Sequence, residues 1–299
     1  MAATRTAPAP SVSRPSGPLP SGACDCHSHV FGPFERFAPL QPSVYDLPEA
    51  GPSVHAAMRA GLGVARGVLV QPAPYANDPS ALLDAIAGSA GALRGVAVAD
   101  ADIAEDKLAA WHAGGIRGLR FVEMRAPGGS RYPGSVGFDA LIRLAPRLRA
   151  HGLHAELWAT ADDLAAHLPA LLATGLPLVL DHMASPDIAR GVDDRTFQTI
   201  LGLLRHGNLW VKLPVCRVSK AAPGHADARP FHEAYLAAAP DRLLWGSDWP
   251  YVRMAPAPDA GRMLDLFFEW TPDEAARRRI LVDNPARLYG FGHDQGAAR

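Results

Sequence analysis

The chain has 299 residues, of which 48% are hydrophobic and 20% are charged, and its formal net charge is -1 at pH 7. This length suits one or two domains, and the composition is that of a globular protein with material for a large core. The balanced charge argues against nucleic acid or an anionic membrane surface as a general partner.

The first 22 residues are rich in alanine, proline and serine and contain no apolar run long enough for a secretory signal. We therefore predict a disordered tail over 1–22 and a single folded domain over 23–299. No later stretch approaches the roughly 20 apolar residues of a membrane-spanning helix. Cys24, Cys26 and Cys216 lack the spacing of a disulfide framework, which favours a reducing compartment and a cytoplasmic location.

Short apolar runs alternate with helix-like segments from residue 23 onward. The runs occupy residues 23–29, 65–71, 94–100, 116–122, 153–159, 176–182, 209–215 and 242–248. They are continuously apolar, which is typical of parallel strands buried on both faces. Eight such units, without a Gly-x-Gly-x-x-Gly turn after the first strand, predict a single-domain α/β protein with a (β/α)8 TIM barrel. We expect the closing segment, 272–291, to pack against the outside of this barrel.

The first run places His27 and His29 one residue apart. Side chains alternate along a regular strand, so Asp25, His27 and His29 are expected to share a face. Taken alone, this pair is as compatible with local hydrogen bonding as with a functional site. The ends of the other runs must decide between the two.

The active site of a parallel barrel lies at the carboxyl ends of its strands. The sixth run adds His182 at this rim, and the eighth run adds Asp248. Packing alone does not explain three histidines and an aspartate on one rim. We therefore predict that His27, His29, His182 and Asp248 are catalytic.

The chain resembles the amidohydrolase superfamily, and within it the branch of 2-pyrone-4,6-dicarboxylate lactonases and related sugar-lactone hydrolases and isomerases. The matching stretches, which span nearly the whole chain after residue 22, are CDCHSHVFGP, GVLVQP, RGVAVAD, GIRGLRF, LVLDHM, WVKL, LLWGSDWP and DNPARLYGF. The resemblance implies that the same three histidines and Asp248 take the family's active-site positions. It also implies a hydrolase acting on a small carboxylated lactone. The alternatives are a lactone isomerase, hydratase or decarboxylase on the same barrel, or a non-catalytic barrel that binds acids.

An aspartate beside imidazoles can take a proton from water as the water attacks a carbonyl carbon. The imidazoles, or a metal that they hold, can stabilise the charge that develops on the carbonyl oxygen. A serine nucleophile has less support, because the chain has no Gly-x-Ser-x-Gly turn and Ser247 should face away from its neighbour Asp248.

The resemblance leaves the metal content open. Two-metal members of the superfamily use a carboxylated lysine, usually on the fourth strand, but the run 116–122 has no lysine. One-metal members usually add a histidine at the end of the fifth strand, where His154 lies too early. Members of the resembling branch include enzymes that work without metal. The expectation is therefore either no cofactor or one zinc ion held by His27, His29 and Asp248.

Arginines near the same rim suggest how a carboxylated substrate is recognised. Arg120, Arg125 and Arg217 each follow or end a strand, and a guanidinium group binds a carboxylate through two parallel hydrogen bonds. Tyr45 matches a tyrosine that dicarboxylate lactonases use on their substrate. We predict that these four residues bind substrate.

Two positions depart from the dicarboxylate lactonases. Ala73 stands where they place a serine, and Ser185 stands where they carry an arginine. Two substrate contacts are therefore missing, and the sequence does not select one lactone. It leaves the oligomeric state open, with a homo-oligomer as one option.

Overall fold

The structure is a computed structural model that describes residues 6–126 and 128–292. Within these ranges, eight parallel strands are paired side by side in chain order. They are β1 Cys24–Ser28, β2 Arg66–Val70, β3 Leu93–Ala97, β4 Ile116–Val122, β5 His154–Trp158, β6 Leu178–Leu180, β7 Leu209–Lys212 and β8 Leu243–Leu244. Backbone hydrogen bonds from Cys26 N to Trp245 O, 2.9 Å, and from Asp248 N to His27 O, 2.7 Å, join the first strand to the segment after the last. The predicted (β/α)8 barrel is confirmed.

Each strand is followed by a helix that returns the chain to the opposite end of the barrel. The described helices are α1 Pro52–Leu62, α2 Ser80–Ala87, α3 Glu105–Ala113, α4 Phe138–Ala150, α5 Ala161–Leu172, α6 Arg195–His206, α7 Arg229–Ala238, α8 Ala260–Trp270, α9 Glu274–Arg278 and α10 Asn284–Tyr289. Several begin at a residue whose side chain satisfies free backbone N–H groups, as Asp194 does for Thr196 and Phe197 at the start of α6. In the described ranges, none of these helices is both long and apolar enough to cross a membrane.

The buried apolar side chains form two clusters. The larger contains one alternating set of strand residues together with the buried faces of the helices. The smaller contains the other set, including Cys26, Val68 and Val179, and therefore fills the barrel interior. Tyr289 and Phe291 belong to this interior cluster, so the segment from α10 to Phe291 closes the bottom of the barrel. This differs from the expectation that the segment 272–291 packs against the outside of the barrel.

Residues 6–22, expected from composition to be disordered, are placed against the barrel. Thr6–Pro8 pairs in parallel with Leu47–Glu49 in a separate two-stranded sheet. Ser13 donates from N and Oγ to Asp259 at the start of α8, at 3.0 and 2.8 Å. A Cβ at Gly261 would lie 2.2 Å from Ser13 O, so the close approach needs glycine there. Composition missed these contacts because the tail makes them mainly through backbone and hydroxyl groups. Residues 1–5 and 293–299 lie outside the described residues.

Candidate active site

A bulge in β1 decides which side chains reach the site. The register of β1 against β2 shifts between Asp25 and Ser28, and one extra residue in a strand reverses the alternation of side chains beyond it. Asp25 therefore does not join His27 and His29, and the prediction of a shared face is wrong for it. Instead, Asp25 accepts hydrogen bonds from Ser247 N at 2.9 Å and Ser247 Oγ at 2.5 Å. This pairing commits the Ser247 hydroxyl to a structural contact.

The end of β1 and the segment after β8 lie unusually close together. A Cβ at Gly246 would lie 2.7 Å from His27 Cβ and 3.0 Å from His27 N, so only glycine allows this approach. The two following residues then differ in direction, because Ser247 bonds to Asp25 whereas Asp248 turns towards His27 with a φ of 63°. This local backbone sets the aspartate beside the histidines.

Three imidazoles converge on one carboxylate oxygen. Asp248 Oδ1 lies 3.4 Å from His27 Nε2, 3.4 Å from His29 Nε2 and 3.5 Å from His182 Nε2. All four side chains are buried. His182 follows β6 in a left-handed backbone with φ 51°. The structure thus brings together the four residues that the sequence predicts to be catalytic.

Arg217 keeps Asp248 ionised, and burial keeps two of the imidazoles neutral. Burial alone would raise the pKa of Asp248, but Arg217 and the hydrogen-bonding histidines hold it well below its usual range. Arg217 Nε contacts Asp248 Oδ2 directly. Burial and then the charge of Lys212 lower the pKa of His27 to about 3, and burial lowers the pKa of His182. At neutral pH the Asp248 carboxylate therefore lies beside the uncharged rings of His27 and His182.

Beneath these residues lies a buried ionic cluster that sequence reasoning missed. Lys212 Nζ lies 2.6 Å from Glu156 Oε2, 3.4 Å from Asp181 Oδ1 and 3.1 Å from His27 Nδ1. Lys212, Glu156 and Asp181 are fully buried. Arg120 donates from Nε and Nη2 to Asp181 Oδ2 at 3.2 and 3.0 Å. The sequence contains a sign of this cluster, because Glu156 and Lys212 interrupt apolar runs and charges inside such strands must be paired.

The predicted substrate-binding residues separate into two groups. Tyr45, Arg120 and Arg217 line a cavity of about 80 Å³ together with the histidine–aspartate group. Arg120 also stacks over the Trp158 ring at 5.3 Å. Arg125 is exposed and its backbone pairs with Arg131, so the described structure does not bring it into this cavity.

Arg253 lines the same cavity but lies beyond the end of the eighth run, so the sequence pattern does not point to it. Its Nη1 contacts the Tyr132 hydroxyl, and its guanidinium lies 5.4 Å from the centre of that ring. Arg120 and Arg217 are each paired with a carboxylate, whereas Arg253 has no such partner among the described residues. Arg253 is therefore a cation available to a bound acid.

A second cavity adjoins the first. It measures about 480 Å³ and shares Trp158, His182 and Arg217 with the smaller one. Its wall includes apolar side chains such as Met124 and Ile188. Together the two cavities have room for a ring at the catalytic residues and a substituent beyond it.

The histidine–aspartate group can also hold a metal ion. Donor atoms of His27, His29 and Asp248 lie within 4.8 Å of one another. Zinc takes tetrahedral ligands at about 2.0–2.1 Å, which places neighbouring donors about 3.3–3.4 Å apart. The two distances of 3.4 Å from the imidazoles to Asp248 Oδ1 match that spacing. A second group, His27, Glu156 and Asp181, has the Lys212 ammonium among its donor atoms and is therefore less suited to a cation.

Comparison with known proteins places the chain in a family. The family profile described as amidohydrolase matches residues 24–291. A 2-pyrone-4,6-dicarboxylate hydrolase of Comamonas testosteroni is 34% identical over 288 residues, covering 93% of each chain. A D-galactarolactone isomerase of Agrobacterium fabrum is 30% identical, covering 92% of this chain and 93% of its own. An apo crystal structure from Agrobacterium tumefaciens is 29% identical with a TM-score of 0.82, covering 93% of this chain and 99% of that one. This chain belongs to the amidohydrolase family.

Proposed function

We propose that the protein is a hydrolase that opens a carboxylated lactone, either one like 2-pyrone-4,6-dicarboxylate or a sugar-acid lactone. The observation that carries this proposal is the convergence of three imidazole Nε2 atoms on Asp248 Oδ1 at 3.4–3.5 Å, in a cavity that also contains arginines. Similarity to a dicarboxylate lactone hydrolase supports the same chemistry.

Asp248 acts as the general base in this proposal. It takes a proton from a water molecule whose oxygen attacks the lactone carbonyl carbon. Imidazole N–H groups donate to the carbonyl oxygen as it becomes an oxyanion. The ring C–O bond then breaks, and the departing oxygen takes back the proton from Asp248. The product is an open-chain acid with one added water.

The substrate carboxylate is bound in this proposal by the arginines of the cavity. Arg253 supplies the unpaired charge, and the guanidinium edges of Arg120 and Arg217 that are not committed to carboxylates add donors. Tyr45 lies beside them and offers a hydroxyl. A neutral lactone lacks the group that these residues recognise.

The test is a panel of carboxylated lactones, each paired with its methyl ester, assayed by proton release. Ring opening by water yields a new acid and hence a proton. We expect turnover of at least one carboxylated lactone, with a higher kcat/KM than its ester. Absence of proton release across the whole panel would contradict lactone hydrolysis.

Lactone isomerisation is the second candidate, favoured by the 30% identity to a D-galactarolactone isomerase. Oxygen-18 water separates the two reactions. A hydrolase places one solvent oxygen in its product, whereas an isomerase returns a ring of the same mass.

We also propose that catalysis requires no metal. The missing lysine of β4 supports this, as does the place of His154 at the start of β5, where its ring contacts Glu156 and Tyr289. If one zinc ion is bound, His27, His29 and Asp248 would hold it, and it would polarise the lactone carbonyl.

Activity is therefore expected to survive removal of metal by a chelator. Metal analysis and proton-release assays before and after chelation make the measurement. Stoichiometric zinc whose removal abolishes turnover, and whose return restores it, would contradict the metal-free proposal.

Arg120→Lys is expected to lower kcat/KM for a carboxylated lactone more than for its methyl ester. A lysine cannot reproduce the planar guanidinium that both bonds Asp181 and presents an edge to the cavity. The comparison of acid with ester in both proteins makes the measurement. An equal loss for both substrates would mean that Arg120 serves to hold Asp181 and not to select acids.

We place the protein in the cytoplasm in this proposal, because Cys24, Cys26 and Cys216 are free and buried. We also propose that the protein forms a homo-oligomer, which sedimentation of the purified protein would test.

A further inference from the structure

Lys212 is a buried charge that the proposed reaction does not use. Its side chain is fully buried at the end of β7, directly beneath the histidines. Glu156 Oε2 at 2.6 Å neutralises it, and its Nζ also lies 3.1 Å from His27 Nδ1. A charge inside a barrel is costly unless its contacts are satisfied. Its contact with a ring nitrogen of His27 therefore constrains that ring.

The contact decides where His27 carries its proton. An ammonium group has three donors and no acceptor, so Lys212 can bond to His27 Nδ1 only if that nitrogen offers a lone pair. The N–H of the ring then lies on Nε2, which faces Asp248 Oδ1 at 3.4 Å. In this state His27 is a hydrogen-bond donor towards the cavity.

Asp181 offers the opposite arrangement. Its Oδ1 lies 3.2 Å from His27 Nδ1, and a carboxylate would require an N–H at that position. Among the described residues, however, neither Asp181 Oδ1 nor His27 Nε2 has a partner with hydrogen-bond geometry, whereas His27 Nδ1 has one in Lys212 Nζ at 3.1 Å and Asp181 Oδ2 is bonded by Arg120. Lys212 is thus the group that prevents His27 from adopting the Nδ1–H tautomer.

His29 is arranged differently from its neighbour. Its Nδ1 lies 2.7 Å from the carbonyl oxygen of Val70, which can only accept, so Nδ1 carries the proton. Its other ring nitrogen, Nε2, faces Asp248 Oδ1 at 3.4 Å. Histidines that bind metals characteristically donate their second nitrogen to a carbonyl or carboxylate, as His29 does and His27 does not.

We infer that Lys212 is a positioning residue that holds His27 as an Nε2–H donor, so that this group polarises a carbonyl oxygen and does not form a high-affinity zinc site. Its polarising role rests on the proposed lactone hydrolysis. Without the lysine, His27 can donate Nδ1–H to Asp181 and turn a lone pair on Nε2 towards the position that His29 and Asp248 already surround.

The experiment compares the wild-type protein with Lys212→Met, with the charge-balanced double variant Lys212→Met/Glu156→Gln, and with the control Glu156→Gln. The double variant removes both members of the buried pair, which protects the fold if the single change leaves Glu156 uncompensated. Zinc affinity is measured by competition with a chromophoric chelator. The tautomer of His27 is measured by nitrogen-15 NMR of the ring, assigned with a His27→Gln variant.

We expect an Nε2–H tautomer in the wild type and in Glu156→Gln, and an Nδ1–H tautomer in both lysine variants. Zinc should bind the lysine variants about 10- to 100-fold more tightly than the wild type, the range typical of changes to a group that supports a metal ligand. Glu156→Gln should leave zinc affinity within a few-fold of the wild type, because it keeps the lysine.

An Nδ1–H signal from His27 in the wild type would overturn the inference, and this measurement needs no variant. Tighter zinc binding without a change of tautomer would also overturn it, because Lys212 would then act only by repelling the cation. Failure of the wild type on every lactone would instead count against the proposed function and leave the tautomer and zinc results valid.

Discussion

Asp248→Asn is expected to lower the turnover of a carboxylated lactone by about a hundredfold or more, the scale of a lost general base. Asparagine keeps the size of the side chain and its place among the three histidines, but its amide cannot take a proton from water. Arg217 would lose its carboxylate partner, yet its side chain is 20% exposed, so water can solvate the freed charge. The measurement is kcat by proton release, with a thermal unfolding scan to confirm that the variant folds.

The matched control is Asp273→Asn. Asp273 is an exposed aspartate at the start of α9, away from both cavities, and its side chain accepts a hydrogen bond from Ala275 N at 3.0 Å. Its loss should leave kcat within a few-fold of the wild type. Near wild-type turnover in Asp248→Asn would refute the general-base assignment.

The barrel was predictable because burial on both faces leaves a strong pattern in the sequence. Each predicted run overlaps an observed strand, and β4 coincides with its run over Ile116–Val122. Residues at the ends of those runs meet at one rim as the topology requires, which is why His182 and Asp248 could be found. The same logic fails for Arg125, because its backbone pairs with Arg131 in the loop after β4 and its side chain is exposed.

Two features of the site depend on strand geometry that the sequence pattern does not predict. The bulge in β1 separates Asp25 from His27, and strict alternation cannot anticipate one extra residue in a strand. The Lys212–Glu156 pair could have been suspected, because each charge interrupts an apolar run. The sequence does not say that the two would meet beneath His27, since that depends on strand register around the barrel.

Arg253→Met is expected to raise KM for a carboxylated lactone by about 10- to 150-fold while changing KM for its methyl ester little. One hydrogen bond to a charged group contributes about 1.5–3 kcal/mol, which corresponds to that range. Arg253 can make such a bond because, within the described residues, no carboxylate occupies its guanidinium, unlike those of Arg120 and Arg217. Methionine keeps a long side chain beside Tyr132 and removes the charge. The assay is run at low ionic strength, because Arg253 is exposed and salt screens such a contact.

The control for this change is Arg143→Met. Arg143 is another exposed arginine, on α4, where it pairs with Asp139 at 3.6 Å on the outer surface. Its removal lowers the net charge by the same amount and should leave KM unchanged for both substrates. Any effect of net charge alone on KM for the acid would also appear in Arg143→Met. A rise in KM limited to the acid and to Arg253→Met means that this guanidinium binds the substrate carboxylate. Equal losses for acid and ester would show instead that Arg253 only supports the rim through Tyr132, and the carboxylate would then have to be bound by Arg120 or Arg217.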